Sequence, residues 1–115
     1  MAAPKKRQRP NRTKQRKTEL MRAQHILRSH LPALRERYAV KSLGVFGSYV
    51  RGDQKKRSDL DVLVEFEQAP SLFKYGELED HLSELVGTKV DLVMKKALKP
   101  HIGRQILAEV VPIVD

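Results

Sequence analysis

The stretch FGSYVRGDQKKRSDLDVLVEF, residues 46–66, contains two aspartates, Asp59 and Asp61, in a run that otherwise has the composition of a buried strand. On a strand, residues two positions apart point to the same face, so these carboxylates lie side by side while Leu60 and Val62 face the other way. Two carboxylates this close repel each other unless a shared proton, a basic side chain or a divalent cation lies between them. The stretch therefore predicts a strand with one apolar face and one chemically specialised face.

The neighbouring segments predict two further strands. KSLGVFG (41–47) and KVDLVM (89–94) are short, rich in apolar residues and bounded by turn residues, as strands are. Between the first strand and the DLDVLVEF strand (59–66) there is room for one or two helical turns that begin at Ser48. Near the end of the chain, Pro112 restricts VVPIV to the edge of a sheet, because proline has no N–H to donate.

Helical patterns fill the rest of the sequence. From Glu19 onward, apolar residues recur at spacings of three and four, and Pro32 either kinks this helix or begins a second one. Ser71 is an N-cap candidate for a helix that stops at Gly87, and Pro100 opens a last helix. The sequence thus predicts an α/β (α+β) domain, a small mixed sheet with helices packed on it.

A third carboxylate and a Gly-Ser turn extend the specialised face. Asp91 lies in a strand setting like that of Asp61 and joins the same cluster if the two strands pair. Three carboxylates on one face suit Mg²⁺ or Mn²⁺ better than zinc. Gly47 and Ser48 mark a strand-to-helix turn, where free N–H groups and a hydroxyl can hold a phosphate. The combination predicts metal-assisted chemistry on a nucleoside triphosphate.

The basic charge is concentrated at the start of the chain. Residues 1–18 hold eight of the 23 Lys and Arg residues and no Asp or Glu, while the remaining 97 residues hold fifteen basic and fourteen acidic ones. With almost no apolar side chains, this segment is predicted to be a disordered basic tail, followed by one domain over 19–115. Such a tail is either a solvated extension or an arm that attracts nucleic acid.

Other functional classes are excluded by composition. The chain has no cysteine, which rules out disulfides, thiolate metal sites and cysteine nucleophiles. No stretch approaches the ~20 apolar residues of a membrane span, and the N-terminus has no apolar signal-peptide region. We therefore expect a cytoplasmic protein with no membrane partner.

The motif itself resembles a known family. Gly47-Ser48, ten residues and then Asp59-Leu60-Asp61 resemble the GSx10DxD signature of the DNA polymerase beta-like nucleotidyltransferase superfamily. The surrounding GVFGSYVRGDQKKRSDLDVLVEF is similar to the minimal nucleotidyltransferases (MNT) that act as antitoxins. The resemblance covers roughly residues 19–114 and implies a nucleotidyltransferase-like fold.

The resemblance also implies the roles of individual residues. Asp59 and Asp61 would bind two Mg²⁺ ions, and Asp91, in KVDLV, would complete the catalytic and metal-binding set and help deprotonate an acceptor hydroxyl. The Gly-Ser pair would grip the triphosphate of ATP, with Arg51 matching the family's Arg-Gly pair after it. MNT proteins typically pair with a HEPN-domain toxin, and some transfer AMP from ATP onto a toxin tyrosine.

Three functions follow as hypotheses. The first is an enzyme that transfers a nucleotide, AMP by resemblance, to a hydroxyl of a partner HEPN toxin. The second is a non-catalytic antitoxin that neutralises its partner by forming a complex with it. The third is a nucleic-acid-binding protein that acts through residues 1–18.

Overall fold

The computed structural model of the protein describes residues 12–114, with side chains from Lys17 onward. Its elements follow the predicted order of helices and strands. They are α1 (Arg12–Tyr38), β1 (Val40–Phe46), α2 (Ser48–Arg51), β2 (Leu60–Phe66), α3 (Leu72–Val86), β3 (Val90–Met94), a short 3-10 turn (Lys95–Ala97), α4 (Pro100–Glu109) and β4 (Val111–Pro112).

The four strands form one mixed sheet in the order β3-β2-β1-β4. β1 runs antiparallel to β2 and β4, whereas β2 and β3 are parallel, with α3 as the crossover between them. β4 lies at the edge of the sheet, as the proline at position 112 predicts. The predicted mixed sheet with packed helices is therefore confirmed.

One face of the sheet carries the hydrophobic core. Along β2, Leu60, Val62 and Val64 are fully buried, while Asp61 and Glu65 on the other face remain partly exposed. Helices α1 and α3 cover the buried face with leucines that have almost no exposed surface, and burying each contributes about 1.5–3 kcal/mol. These leucines are Leu27, Leu31, Leu34, Leu78 and Leu82.

Helix α1 is longer and more continuous than the sequence predicts. It runs through Pro32 without ending, so a second helix beginning at that proline is wrong. Proline removes one helical hydrogen bond, but Leu31 and Leu34 on either side are buried in the core and hold the helix together.

Helix α1 also includes residues 12–18, which were predicted to belong to a disordered tail. Lys, Arg and Gln extend an existing helix readily; residues 1–11 lie outside the described residues.

Helix α3 has the predicted start and stop. The Ser71 hydroxyl accepts a hydrogen bond from the Lys74 N–H at 3.1 Å, which caps the first turn. Gly87 ends the helix in the left-handed conformation, with φ of 80°. These signals fix the length of α3 and hence the point at which β3 enters the sheet.

Side chains of α3 bind the free edge of β3. The Val90 N–H donates to the Ser83 hydroxyl and the Leu92 N–H donates to the Glu79 carboxylate, each at 2.9 Å. The Tyr75 hydroxyl donates to the Leu92 carbonyl. Three residues spaced four apart on one helix face thus replace a missing neighbouring strand, and they hold the backbone on both sides of residue 91.

The opposite face of the sheet is only partly covered, and α4 is the element that lies over it. Val110, the residue that follows α4, lies close to the sheet at Gly44, where an added Cβ would lie 2.5 Å from its Cγ2. Ile102 and Leu107 of α4 remain about half exposed. Within residues 12–114, no helix is both long and apolar enough to span a bilayer.

Candidate active site

Gly47 ends β1 and turns the chain into α2. Its φ of 80° and ψ of −152° lie in a region that glycine alone adopts readily. A Cβ at this position would lie 2.0 Å from Oδ2 of Asp61, a distance no real contact shows. Position 47 therefore requires glycine twice, for its backbone conformation and for the carboxylate beside it.

Asp61 and Asp91 face each other across the parallel strands. They are register partners of β2 and β3, so the strand pairing on which the predicted carboxylate cluster depends is present. Asp59 lies one residue before β2. Burial, followed by the negative charges of Asp91 and Asp59, raises the pKa of Asp61 to about 6, although Arg51 opposes the shift. The site thus concentrates negative charge that has too little compensation from basic groups.

Arg51 and the Gly47 N–H form a small anion site that is already filled by a carboxylate. The Gly47 N–H donates to Oε2 of Glu109 at 2.9 Å, and Nη1 of Arg51 donates to Oε1 of the same residue at 2.7 Å. That hydrogen bond raises the pKa of Arg51. Each oxygen of the Glu109 carboxylate therefore accepts one hydrogen bond, and these bonds connect the end of α4 to the turn after β1 and to α2.

A cleft of about 440 Å³ opens between this turn and α4. Its volume lies within the range of small-molecule sites, and charged groups converge on one side of it. The residues that line it are Phe46, Gly47, Arg51, Asp61, Gln105, Ile106 and Glu109. An anionic ligand with an attached apolar or aromatic group would match this combination of donors and side chains.

Ser48, which the sequence predicts to contact a phosphate, does not line the cleft. It is the first residue of α2 and is half-buried. Because α2 has only four residues, its helix dipole contributes little to holding an anion. A contact between the Ser48 hydroxyl and a phosphate stays a prediction.

The structure brings together most of the predicted acidic set without forming a finished metal site. Among the described side chains, no group of three or more His, Asp or Glu residues is arranged to hold a metal ion. The donor chemistry nevertheless fits a hard cation, because Asp59 and Asp91 act on Asp61 as charges that a divalent ion would neutralise. Metal binding by these three residues stays a prediction.

Sequence reasoning missed Glu109, Gln105 and the cleft-facing role of Ile106. The spacing of three from Ile106 to Glu109 does place both residues on one side of α4. That spacing cannot show which part of the sheet this side faces. The contact joins positions 62 residues apart, so it depends on how α4 is placed on the sheet.

Comparison with known proteins gives consistent matches over this region. The family model described as nucleotidyltransferase domain matches residues 27–113. A protein adenylyltransferase named MntA, from Thermococcus cleftensis, is 56% identical over 86 residues, which cover 75% of this chain and 87% of that protein.

Solved structures match the fold as well. One that is provisionally described as a minimal nucleotidyltransferase is 35% identical, has a TM-score of 0.65 and covers 76% of this chain and 90% of its own. A second is the MNT antitoxin in complex with a tri-AMPylated HEPN toxin of Shewanella oneidensis. It is 18% identical, has a TM-score of 0.53 and covers 89% of this chain and 71% of that one, a likeness of fold alone.

Proposed function

Because this chain belongs to the nucleotidyltransferase domain family, we propose that it is a Mg²⁺-dependent protein adenylyltransferase that transfers AMP from ATP to a tyrosine hydroxyl of a HEPN-domain toxin. The observation that carries the proposal is the pairing of Asp61 with Asp91 next to the anion site of Gly47 and Arg51. Relatives named as protein adenylyltransferases support the reaction class, and the AMPylated HEPN toxin seen with a similar fold supports the partner.

In the proposed reaction the acceptor oxygen attacks the α-phosphorus of ATP. A new oxygen–phosphorus bond forms, the bond from the α-phosphorus to the bridging oxygen breaks, and pyrophosphate leaves with that electron pair. Asp91, which is exposed at the surface beside Asp61, accepts the proton of the acceptor hydroxyl. The Gly47 N–H and Arg51 hold oxygens of the departing phosphates.

Asp59, Asp61 and Asp91 are the residues that would hold Mg²⁺. Bound there, two ions would neutralise phosphate charge and align the attacking and leaving oxygens. The raised pKa of Asp61 supports this assignment, because burial and then the negative charges of Asp91 and Asp59 disfavour its ionised form, which a bound cation would stabilise. A cytoplasmic location, where ATP and Mg²⁺ occur together, is part of the proposal.

The test is to incubate the purified protein with its HEPN partner, ATP and Mg²⁺ and to read the intact mass of the partner. We expect mass increases of one or more adenylyl groups, lost when EDTA is added and lost with Asp61→Asn. Exposed Asp80 provides the matched control, and Asp80→Asn should retain activity. Replacing the modified tyrosine by phenylalanine should remove the adduct.

Two outcomes would contradict the proposal. One is a partner that gains no adenylyl group from the wild-type protein, and the other is modification that survives Asp61→Asn. If a double variant of Asp59 and Asp61 to alanine neutralises the toxin fully, the non-catalytic antitoxin is the correct function instead.

A further inference from the structure

The carboxylate of Glu109 occupies the anion site that the Gly47 N–H and Arg51 form. It bridges the Gly47 N–H and Arg51, at 2.9 Å and 2.7 Å, and no other acidic side chain of the described residues hydrogen-bonds to both donors. The anion site is therefore occupied by a group from the protein itself. A carboxylate and a phosphate are interchangeable acceptors for such donors.

We infer that Glu109 is an internal competitor that ATP must displace from the anion site, and that it thereby sets the affinity for nucleotide. The inference rests on the proposed function, since it assigns the same donors to the triphosphate. The single Gly47 N–H cannot serve Glu109 and a phosphate oxygen with good geometry at once. A phosphate that kept Glu109 in place would also lie against its negative charge.

Displacement of the Glu109 carboxylate from the anion site requires little structural change. Glu109 is the last residue of α4, and its carboxylate can leave the two donors by rotation of its side chain, without movement of the helix backbone. The Arg51 side chain is 54% exposed and that of Glu109 is 22% exposed, so water can solvate the guanidinium once the carboxylate has left. Gly47 directly follows β1 and Arg51 ends α2, so both donors lie on a short segment that begins at the sheet and does not include α4.

If Glu109 competes with nucleotide, replacing it should strengthen nucleotide binding. Glu109→Gln keeps the shape of the side chain but removes its charge and can no longer accept from both donors. If Glu109 fills the anion site in about nine-tenths of molecules, the dissociation constant of nucleotide should fall about tenfold in this variant. If Glu109 instead served to orient Arg51 toward the phosphates, Glu109→Gln would bind nucleotide more weakly than the wild-type protein.

The experiment measures binding of the ATP analogue AMP-PNP with Mg²⁺ by calorimetry, separately from AMP transfer. Glu36→Gln is the matched control, because Glu36 is an exposed glutamate near the end of α1, beside the start of β1 and away from Gly47. We expect about tenfold tighter binding for Glu109→Gln and wild-type binding for Glu36→Gln. Unchanged or weaker binding by Glu109→Gln, with intact wild-type binding, overturns the inference and leaves the proposed function standing.

A second measurement uses the wild-type protein and does not depend on how the variant folds. The ¹³C signal of the Glu109 carboxyl should shift when AMP-PNP and Mg²⁺ are added, together with the amide signal of Gly47, while the Glu36 carboxyl stays unchanged. A Glu109 signal that does not move at saturating nucleotide overturns the inference. If no form of the protein binds nucleotide, the proposed function and this inference both fail.

Discussion

Gly47 meets two requirements at once, and the second is specific to this site. Gly87 also has a φ of 80°, but an added Cβ there would meet nothing within 4 Å. At Gly47 the same added atom would collide with Oδ2 of Asp61. Gly87 is therefore a glycine at positive φ with no side chain beside it, whereas Gly47 has the Asp61 carboxylate beside it.

We predict that Gly47→Ala abolishes most AMP transfer, whereas Gly87→Ala retains it. Gly87→Ala should lose about 1 kcal/mol of unfolding free energy, because alanine is strained at positive φ. Gly47→Ala should lose more, because its backbone lies in a region that glycine alone adopts readily and the added Cβ would collide with Asp61. Displacing Asp61 should lower the transfer rate by about 100-fold or more, since misplacement by an ångström has effects of this size. Rates with the HEPN partner and urea unfolding of both variants check this, and equal losses of activity would contradict it.

Asp61 links the site to the stability of the fold. Its pKa of about 6 in the folded protein exceeds the ordinary value of 3.8, so the folded state binds this proton more tightly than the unfolded chain does. The resulting stabilisation is fully present below about pH 4 and is lost as the pH rises through about 6. At neutral pH, without metal, the ionised carboxylate is a source of instability.

Asp61→Asn should therefore stabilise the metal-free protein at pH 7.5 and have little effect at pH 4. Because the side chain is partly exposed, we expect a gain of only about 1 kcal/mol at the higher pH. Urea unfolding in EDTA at both values measures it, with Asp80→Asn as the exposed control. If Asp61→Asn changes the unfolding free energy by the same amount at both pH values, the protonation of Asp61 is not linked to stability.

At the scale of elements, α3 determines the position of Asp91 as well as covering the core. The backbone N–H groups on either side of Asp91 donate to side chains of α3, Ser83 and Glu79. An edge strand without such bonds would be free to fray or to pair with another chain. The helix thereby fixes one member of the carboxylate pair from the outside of the sheet.

Glu79→Ala should lower the unfolding free energy by about 1–2 kcal/mol, because the partly buried Leu92 N–H loses a charged acceptor. It should also reduce AMP transfer, since the strand that carries Asp91 becomes less well fixed. Exposed Glu84, five residues further along α3, is the control, and Glu84→Ala should change stability by less than about 0.5 kcal/mol. Urea titration and transfer rates of the two variants provide the measurement, and equal effects would contradict the role of α3.

At the scale of the whole molecule, local patterns predict the elements and half of the site. The alternation around Asp61, the turn at Gly47 and the caps of α3 are short-range signals, and the structure bears them out. The paired carboxylates follow once two strands of similar pattern are assumed to be neighbours. The alternation, the turn and the caps depend on residues a few positions apart, so a sequence contains them directly.

The remaining features depend on tertiary packing. Pro32 favours a break, but the buried leucines around it favour one continuous helix, and the packing prevails. Glu109 reaches the anion site only because α4 folds back over the sheet. The role of the basic residues 1–11 and the boundary between tail and domain at residue 18 stay predictions.

The parallel pairing of β2 and β3 has a consequence for the order of events during synthesis. Asp61 leaves the ribosome thirty residues before Asp91, which corresponds to roughly 2–6 s at common translation rates. The antiparallel β1 and β2 can pair during this interval, but the two carboxylates cannot meet until α3 has folded and β3 has docked. A nascent chain therefore carries the Gly-Ser turn and half of the acidic pair for seconds without being a competent enzyme.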